Sequence, residues 1–225
     1  MAPARPSLRT EKAMLRSGID RLAAIDEVGR GAPAGPVTCG VVVIDLTVGR
    51  VPSGLRDSKL LSASQREALT KRIDSWVLDG AVGHASAAEI DDLGLTQALR
   101  RAGCRALARI AVSVDAVLLD GSFDWLSPPD EASLVAVDDD VEVVVPPVTT
   151  KVKADLTCAS VAAASSLAKV ERDALMVALA LEYPGYGWES NKGYGAPVHL
   201  EGIRRLGLTS QHRQTWKTAL VEDSV

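Results

Sequence analysis

Three cysteines, Cys39, Cys104 and Cys158, are odd in number and widely separated, which excludes both a disulfide framework and the paired spacing of a zinc site. The chain therefore reads as a protein of a reducing compartment, and a cytoplasmic location is expected. Long apolar runs are also missing. Even residues 102–119 carry Arg105, Arg109 and Asp115, so no stretch approaches the ~18 uninterrupted apolar residues of a membrane span. Residues 1–20 are interrupted by Arg5, Arg9, Glu11, Lys12 and Arg16. They hold no signal-peptide core and are expected to form a flexible arm. Positive charge is scarce as well. Lys and Arg number 25 against 29 Asp and Glu, a net charge of -4, which argues against a protein that coats nucleic acid by bulk charge. Any nucleic-acid surface has to be local.

What is present is apolar material: 47% of the 225 residues, enough for a substantial core in one domain or a domain with an appendage. Short apolar runs at 22–25, 37–44, 81–85 and 116–119 suit strands, the first two separated by a Gly/Pro loop. Ser64 followed by Glu67 predicts a capping box that opens a helix running through Leu69 and Ile73 to Trp76. Residues 95–113 place Leu99, Ala102, Ala106 and Ile110 on one face of a long amphipathic helix. A third helix is expected over 159–181, and its first half is almost all small residues, as tight packing on a sheet requires. Residues 127–150 read as a loop and hairpin, with Asp138 to Asp140 as a solvated turn. Past residue 182, Tyr183, Tyr186, Trp188 and Tyr194 lie among glycines, followed by short helical stretches near 200–206 and 213–221. Interleaved strands and helices predict an α/β fold: a central sheet flanked by helices, with a small C-terminal helical extension. The expected divisions are 1–20, 21–182 and 183–225.

The chemistry-bearing signal is acidic. Asp26 and Glu27 are adjacent at the end of an apolar strand, where alternation would send them to opposite faces unless the strand ends or bulges there. Asp120 and Asp155 each stand where an apolar or alternating segment gives way to Gly121 or to a helix start. Taken singly, each is an ordinary turn or cap aspartate. Gathered in one pocket, such carboxylates repel one another and are tolerable chiefly when divalent cations neutralise them. An oxygen-only donor set points to Mg²⁺ or Mn²⁺ rather than zinc. Two such ions could serve an in-line phosphodiester displacement.

Five blocks in order carry a resemblance to the ribonuclease HII family, the type 2 ribonucleases H. They are residues 24–37, containing Asp26-Glu27-Val28-Gly29-Arg30-Gly31; Asp57-Ser58-Lys59-Leu60-Leu61; Leu119-Asp120-Gly121; Lys153-Ala154-Asp155 with the helix holding Ala168-Lys169-Val170 and Arg172-Asp173; and Asn191-Lys192-Gly193-Tyr194-Gly195 with His199 and Gln211-His212-Arg213. They extend from about residue 21 to residue 217. The resemblance implies a ribonuclease H-like mixed sheet, Asp26, Glu27, Asp120 and Asp155 as catalytic carboxylates and metal ligands, and RNA/DNA hybrids and ribonucleotide-containing duplex DNA as substrates. It implies that Gly29, Arg30 and Gly31 read the 2'-hydroxyl through main-chain groups, as the missing Cβ of glycine permits, and that Tyr194 packs on the neighbouring deoxyribose. Lys59, Lys192 and Arg213 are expected on phosphates. His199 and His212 could contact phosphate or merely pack, while His84 and Asp173 read as structural. Residues 127–150 insert a Pro-rich, acidic segment between two motifs. Nothing signals an oligomer, so a monomer without membrane contact is expected.

Overall fold

In the computed structural model, the described residues are 5–55, 63–128, 134–138 and 141–216. Lys59 and the rest of its block therefore lie outside them. A five-stranded mixed sheet has the order β3-β2-β1-β4-β7. Its strands are β1 (Leu22–Val28), β2 (Val37–Ile44), β3 (Asp79–Ala85), β4 (Ala116–Asp120) and β7 (Val148–Lys151). The pairs β1–β2 and β2–β3 are antiparallel, whereas β1–β4 and β4–β7 are parallel.

Strand alternation divides the core between the two faces of the sheet. Leu22, Ala24, Val42 and Ile44 pack with residues of α2 (Ala63–Asp74) and α6 (Ala159–Glu182). Ala23, Ile25, Val41 and Val43 pack with α3 (Ala87–Leu93) and α4 (Leu95–Ala108) on the opposite face. The small-residue half of α6 lies hard against the sheet, as its composition predicts. A Cβ placed on Gly40 of β2 would stand 2.1 Å from the carbonyl oxygen of Ala164, so only glycine permits this approach.

Within the stretch expected to be a flexible arm, α1 (Arg9–Arg16) is helical and packed. Its charges interrupt the sequence but not the helix, because Leu15 and Glu11 share the inward side. Leu15 joins the core. The buried Glu11 carboxylate accepts from the Ser160 amide at 3.0 Å and from its hydroxyl at 2.9 Å. It thereby serves the N-terminus of α6, whose own N-cap residue Cys158 supplies no side-chain bond, with a charge that complements the helix dipole.

Other local expectations shift. Ser64 lies inside α2 rather than at its cap, and the capping box forms instead at Ser86 and Glu89, opening α3. The segment 127–150 contains the expected hairpin, β5 (Leu134–Asp138) with β6 (Val141–Val144), but its last residues join the main sheet as β7. Of the acidic run, Asp139 and Asp140 lie outside the described residues. The C-terminal part contains α7 (Trp188–Asn191), α8 (Pro197–Leu206) and a 3₁₀ turn at Gln214–Trp216. Tyr186, Trp188 and Ile203 form a small core with Met176 and Ala180 of α6.

Candidate active site

β1 does not end or bulge at Asp26. It stays in register with β2 through Val28, whereas its pairing with β4 stops at Ile25–Leu119. Past that point β1 has a free side facing the end of β4, where Asp120 stands. Consecutive carboxylates on opposite faces can therefore both line the notch. Asp155 enters on the short helix α5 (Ala154–Thr157), which is tied to β4 because Asp120 Oδ1 accepts from the amides of Ala154 at 2.6 Å and Asp155 at 3.3 Å. Asp26, Glu27, Asp120 and Asp155 line one cavity of about 420 Å³, shared with Val28, Ser165, Lys169 and Tyr194. The structure thus brings together Asp26, Glu27, Asp120 and Asp155, the four carboxylates expected to share a site.

The electrostatics match a site short of positive charge. Burial holds the Asp26 carboxyl well above the usual carboxylate range; a hydrogen bond with Ser165 lowers it, and the negative charges of Glu27, Asp120 and Asp155 raise it further. Burial also raises Glu27, offset mainly by Arg30, whose guanidinium lies 3.2 Å from its Oε1. The other oxygen, Oε2, is buried and has no hydrogen-bond partner among the described residues. No three His, Cys, Asp or Glu side chains among the described residues are arranged to clasp an ion as they stand. The reason is visible in the partners: each of Asp26, Glu27 and Asp120 is turned toward a hydrogen-bond donor of the protein.

The loop after β1 is tied down by two buried arginines. Arg172 of α6 donates to the carbonyls of Pro36 at 2.9 Å, Lys192 at 2.9 Å and Ala34 at 3.1 Å, joining this loop to the Lys192–Gly193 turn. Arg213 donates to the carbonyls of Arg30 at 2.7 Å and Gly29 at 2.5 Å. The phosphate role expected for Arg213 is therefore corrected: it is fully buried and braces the loop. Both arginines are long enough to reach from an anchored backbone to several carbonyls, which a motif cannot distinguish from reach toward a ligand.

Tyr194 meets this loop directly, its hydroxyl accepting from the Gly29 amide at 3.2 Å. The Arg172 guanidinium lies 5.3 Å from its ring centroid and Lys169 Nζ 5.7 Å. Lys169 is the cation that the residue-by-residue reading missed, and its place in the 168–173 block was the available signal. It bonds Asp173 at 2.6 Å, which also pairs with Arg66 of α2 at 3.4 Å. Lys192 lines a second groove of about 550 Å³ with Arg66, Lys169 and Tyr194, its ammonium folded onto the Glu189 carbonyl. Arg30 is exposed, and so is Gly31. His84 bonds Thr38 and Glu171, each at 2.8 Å, away from the carboxylates.

A mixed sheet of this order with carboxylates at the ends of its central parallel pair defines the class: a ribonuclease H-fold hydrolase. The comparisons narrow it. The family model described as Ribonuclease HII matches residues 23–219. Ribonuclease HII of Streptomyces avermitilis is 42% identical over 216 residues, covering 95% of this chain and 85% of that protein; the Paracoccus denitrificans enzyme is 43% identical over 211 residues, covering 94% and 91%. Among solved structures, ribonuclease H2 from Pyrococcus horikoshii aligns with a TM-score of 0.70 at 27% identity, covering 90% of this chain and 98% of that one. The chain belongs to the ribonuclease HII family. It is accordingly a ribonuclease H, an endonuclease acting on RNA/DNA hybrids.

Proposed function

We propose that this ribonuclease H also cuts on the 5' side of ribonucleotides embedded in duplex DNA, leaving a 3'-hydroxyl and a 5'-phosphate, and uses two divalent metal ions. The observation that carries the reading is the convergence of Asp26, Glu27, Asp120 and Asp155 on one cavity whose rim holds Tyr194. The donor set fits the ions: carboxylates alone, a hard-oxygen site for Mg²⁺ or Mn²⁺, with the Glu27 Oε2 buried and unpartnered among the described residues. Those carboxylates would hold the cations, which when bound supply Lewis-acid stabilisation of charge on the attacking and leaving oxygens.

The chain's own residues do the rest by orientation. The backbone of Gly29, Arg30 and Gly31, braced by Arg172 and Arg213, presents the surface that distinguishes a ribose by its 2'-hydroxyl. Tyr194 offers an amphipathic ring to the adjacent deoxyribose. Lys192 and Lys59 supply phosphate contacts, and residues 183–216 serve as the substrate-binding extension. No helix of the described residues is long and apolar enough to cross a membrane, and a cytoplasmic monomer is part of the same proposal.

The test is cleavage of an internally labelled, end-blocked duplex containing one ribonucleotide, with Mg²⁺, Mn²⁺ or chelator. Metal-dependent cutting at the 5' side of the ribonucleotide is expected. A requirement for a free end would favour an exonuclease, and binding without cutting would favour a hybrid-binding module. Asp120→Asn should abolish cutting while largely sparing binding; full activity of that variant would overturn the assignment.

A further inference from the structure

His199 on α8 and His212 in the segment before the 3₁₀ turn are both fully buried. Three of their partners, the Tyr194 carbonyl, the Trp188 indole N–H and the Thr209 amide N–H, can act in only one direction, and this fixes where the protons lie. The Tyr194 carbonyl only accepts, so His199 Nδ1, 2.8 Å away, carries a proton. The Trp188 indole N–H only donates, so His199 Nε2, at 2.9 Å, is the bare nitrogen. His212 Nε2 lies 3.1 Å from that same bare nitrogen and therefore donates to it. His212 Nδ1 accepts the Thr209 amide N–H at 2.9 Å. Each ring is thus neutral and confined to one tautomer. Hydrogen bonds run in one direction from Thr209 through two imidazoles to the backbone of Tyr194.

The surroundings enforce this state. Tyr186 and Trp188 stack at 5.1 Å between centroids, and the Tyr186 ring meets His212 edge-on at 4.9 Å. Burial pushes His212 down to about 4, and it also lowers His199. The same segment grips the other half of the site. Ala34 pairs with His212 in an isolated bridge, and the Gly35 amide donates to the Gln211 carbonyl at 2.8 Å.

We propose that His199 and His212 are positioning residues: their tautomer-locked relay holds the Tyr194 backbone at a fixed distance from the Gly29–Gly31 loop and thereby sets the preference for a ribonucleotide-to-deoxyribonucleotide step. This rests on the reading of Tyr194 as the residue that meets the deoxyribose. The relay touches no reacting atom, so it acts on selectivity through placement, where a shift of about 1 Å can cost up to about a hundredfold.

The experiment compares kcat/KM on a single-ribonucleotide duplex with kcat/KM on a uniform hybrid in the full chain. Their ratio does not depend on the fraction of enzyme that is folded. His199→Leu, which removes the donor to Tyr194, should lower the ratio by on the order of tenfold or more. His199→Asn, whose amide nitrogen stands near the position of Nδ1, should restore most of it. Adding His199→Leu to Tyr194→Ala should change the ratio no further, because the two act as one unit. If Tyr194→Ala lowers the ratio and His199→Leu leaves it intact, the relay is overturned while the Tyr194 reading stands; if Tyr194→Ala itself leaves the ratio intact, both fall. Long-range ¹H–¹⁵N spectra of the unaltered protein give a second readout. His199 protonated on Nδ1 and His212 on Nε2 are expected at neutral pH, and a cationic ring or the opposite tautomer at either position overturns the proposal whatever the activities show.

Discussion

Adding one methyl group to Gly29 and, separately, to Gly31 should divide the loop after β1 into a part that serves the fold and a part that serves the substrate. Gly29 has φ +83°, and a Cβ there would stand 2.1 Å from Arg172 Nε and 2.8 Å from its Cδ and Cζ. A left-handed alanine costs roughly 1–2 kcal/mol, and forcing a methyl into a filled space costs about 1–3 kcal/mol. The clash cannot be relieved at a flexible end, because Arg172 is fixed by three carbonyls. Gly29→Ala should therefore destabilise the protein by about 2–5 kcal/mol, lowering Tm by roughly 4–20 °C for a domain of this size. Gly31 has an ordinary φ, and a Cβ there meets nothing within 4 Å. Gly31→Ala should stay within about 0.5 kcal/mol of the parent. Yet if backbone and sugar meet at this loop, its methyl intrudes on the contact, and single-turnover cutting should fall by about ten- to a hundredfold. Thermal unfolding and cleavage are measured on the same preparations. Gly29→Ala melting with the parent would refute the packing argument, and Gly31→Ala cutting at the parental rate would refute the close approach of the loop to substrate.

Mn²⁺ or Mg²⁺ at about a hundred times its dissociation constant should stabilise the protein by about 2.7 kcal/mol. Because burial and the neighbouring negative charges raise the Asp26 carboxyl above its ordinary range, protons compete with a cation for it more strongly than for a free carboxylate. The gain in Tm should therefore diminish as pH falls, and no gain in melting experiments at any pH would contradict a cation site. Acid acts in the same sense through His212. Between 6.5 and about 4 the unfolded chain takes up a proton that the folded chain refuses, so its contribution is complete above 6.5 and falls as pH drops through this window, by about 3 kcal/mol. The difference in urea stability between the parent and His212→Gln should shrink over that range; a constant difference would count against a neutral buried ring. Glu11→Ala removes two hydrogen bonds and a favourable dipole contact at α6, and should cost about 2–3 kcal/mol in urea unfolding. Unchanged stability would mean that the Glu11 contact with α6 contributes nothing to the fold.

Periodicity made much of the fold legible. The alternating burial of β1 and β2 and the small face of α6 follow from side-chain size and spacing, and the four carboxylates that meet in one cavity stood out through their motifs. What could not be read locally depended on distant partners. α1 looked like an arm because the acceptor it provides, Glu11, serves a helix terminus 149 residues away. The last strand was absorbed into a loop because Val148–Lys151 is short and owes its form to β4. Asp26 and Glu27 seemed to need a break in β1, whereas the neighbouring strand stops instead, a fact of sheet topology invisible in the residues themselves. Arg213 was misassigned because a guanidinium suits a carbonyl cluster as well as a phosphate; only burial separates the two.

The enclosure of Arg172 and Arg213 has a consequence for how the enzyme holds a polyanion. Neither can displace a condensed counterion, so under the proposed function the contacts that make affinity depend on ionic strength fall to other cations, such as the exposed Arg30 and the half-buried Lys192. Each phosphate neutralised contributes about 0.9 to the logarithmic salt slope on a duplex. A shallow slope leaves recognition to the shape of the sugar track, and that suits an enzyme which has to ignore most of the nucleic acid it meets.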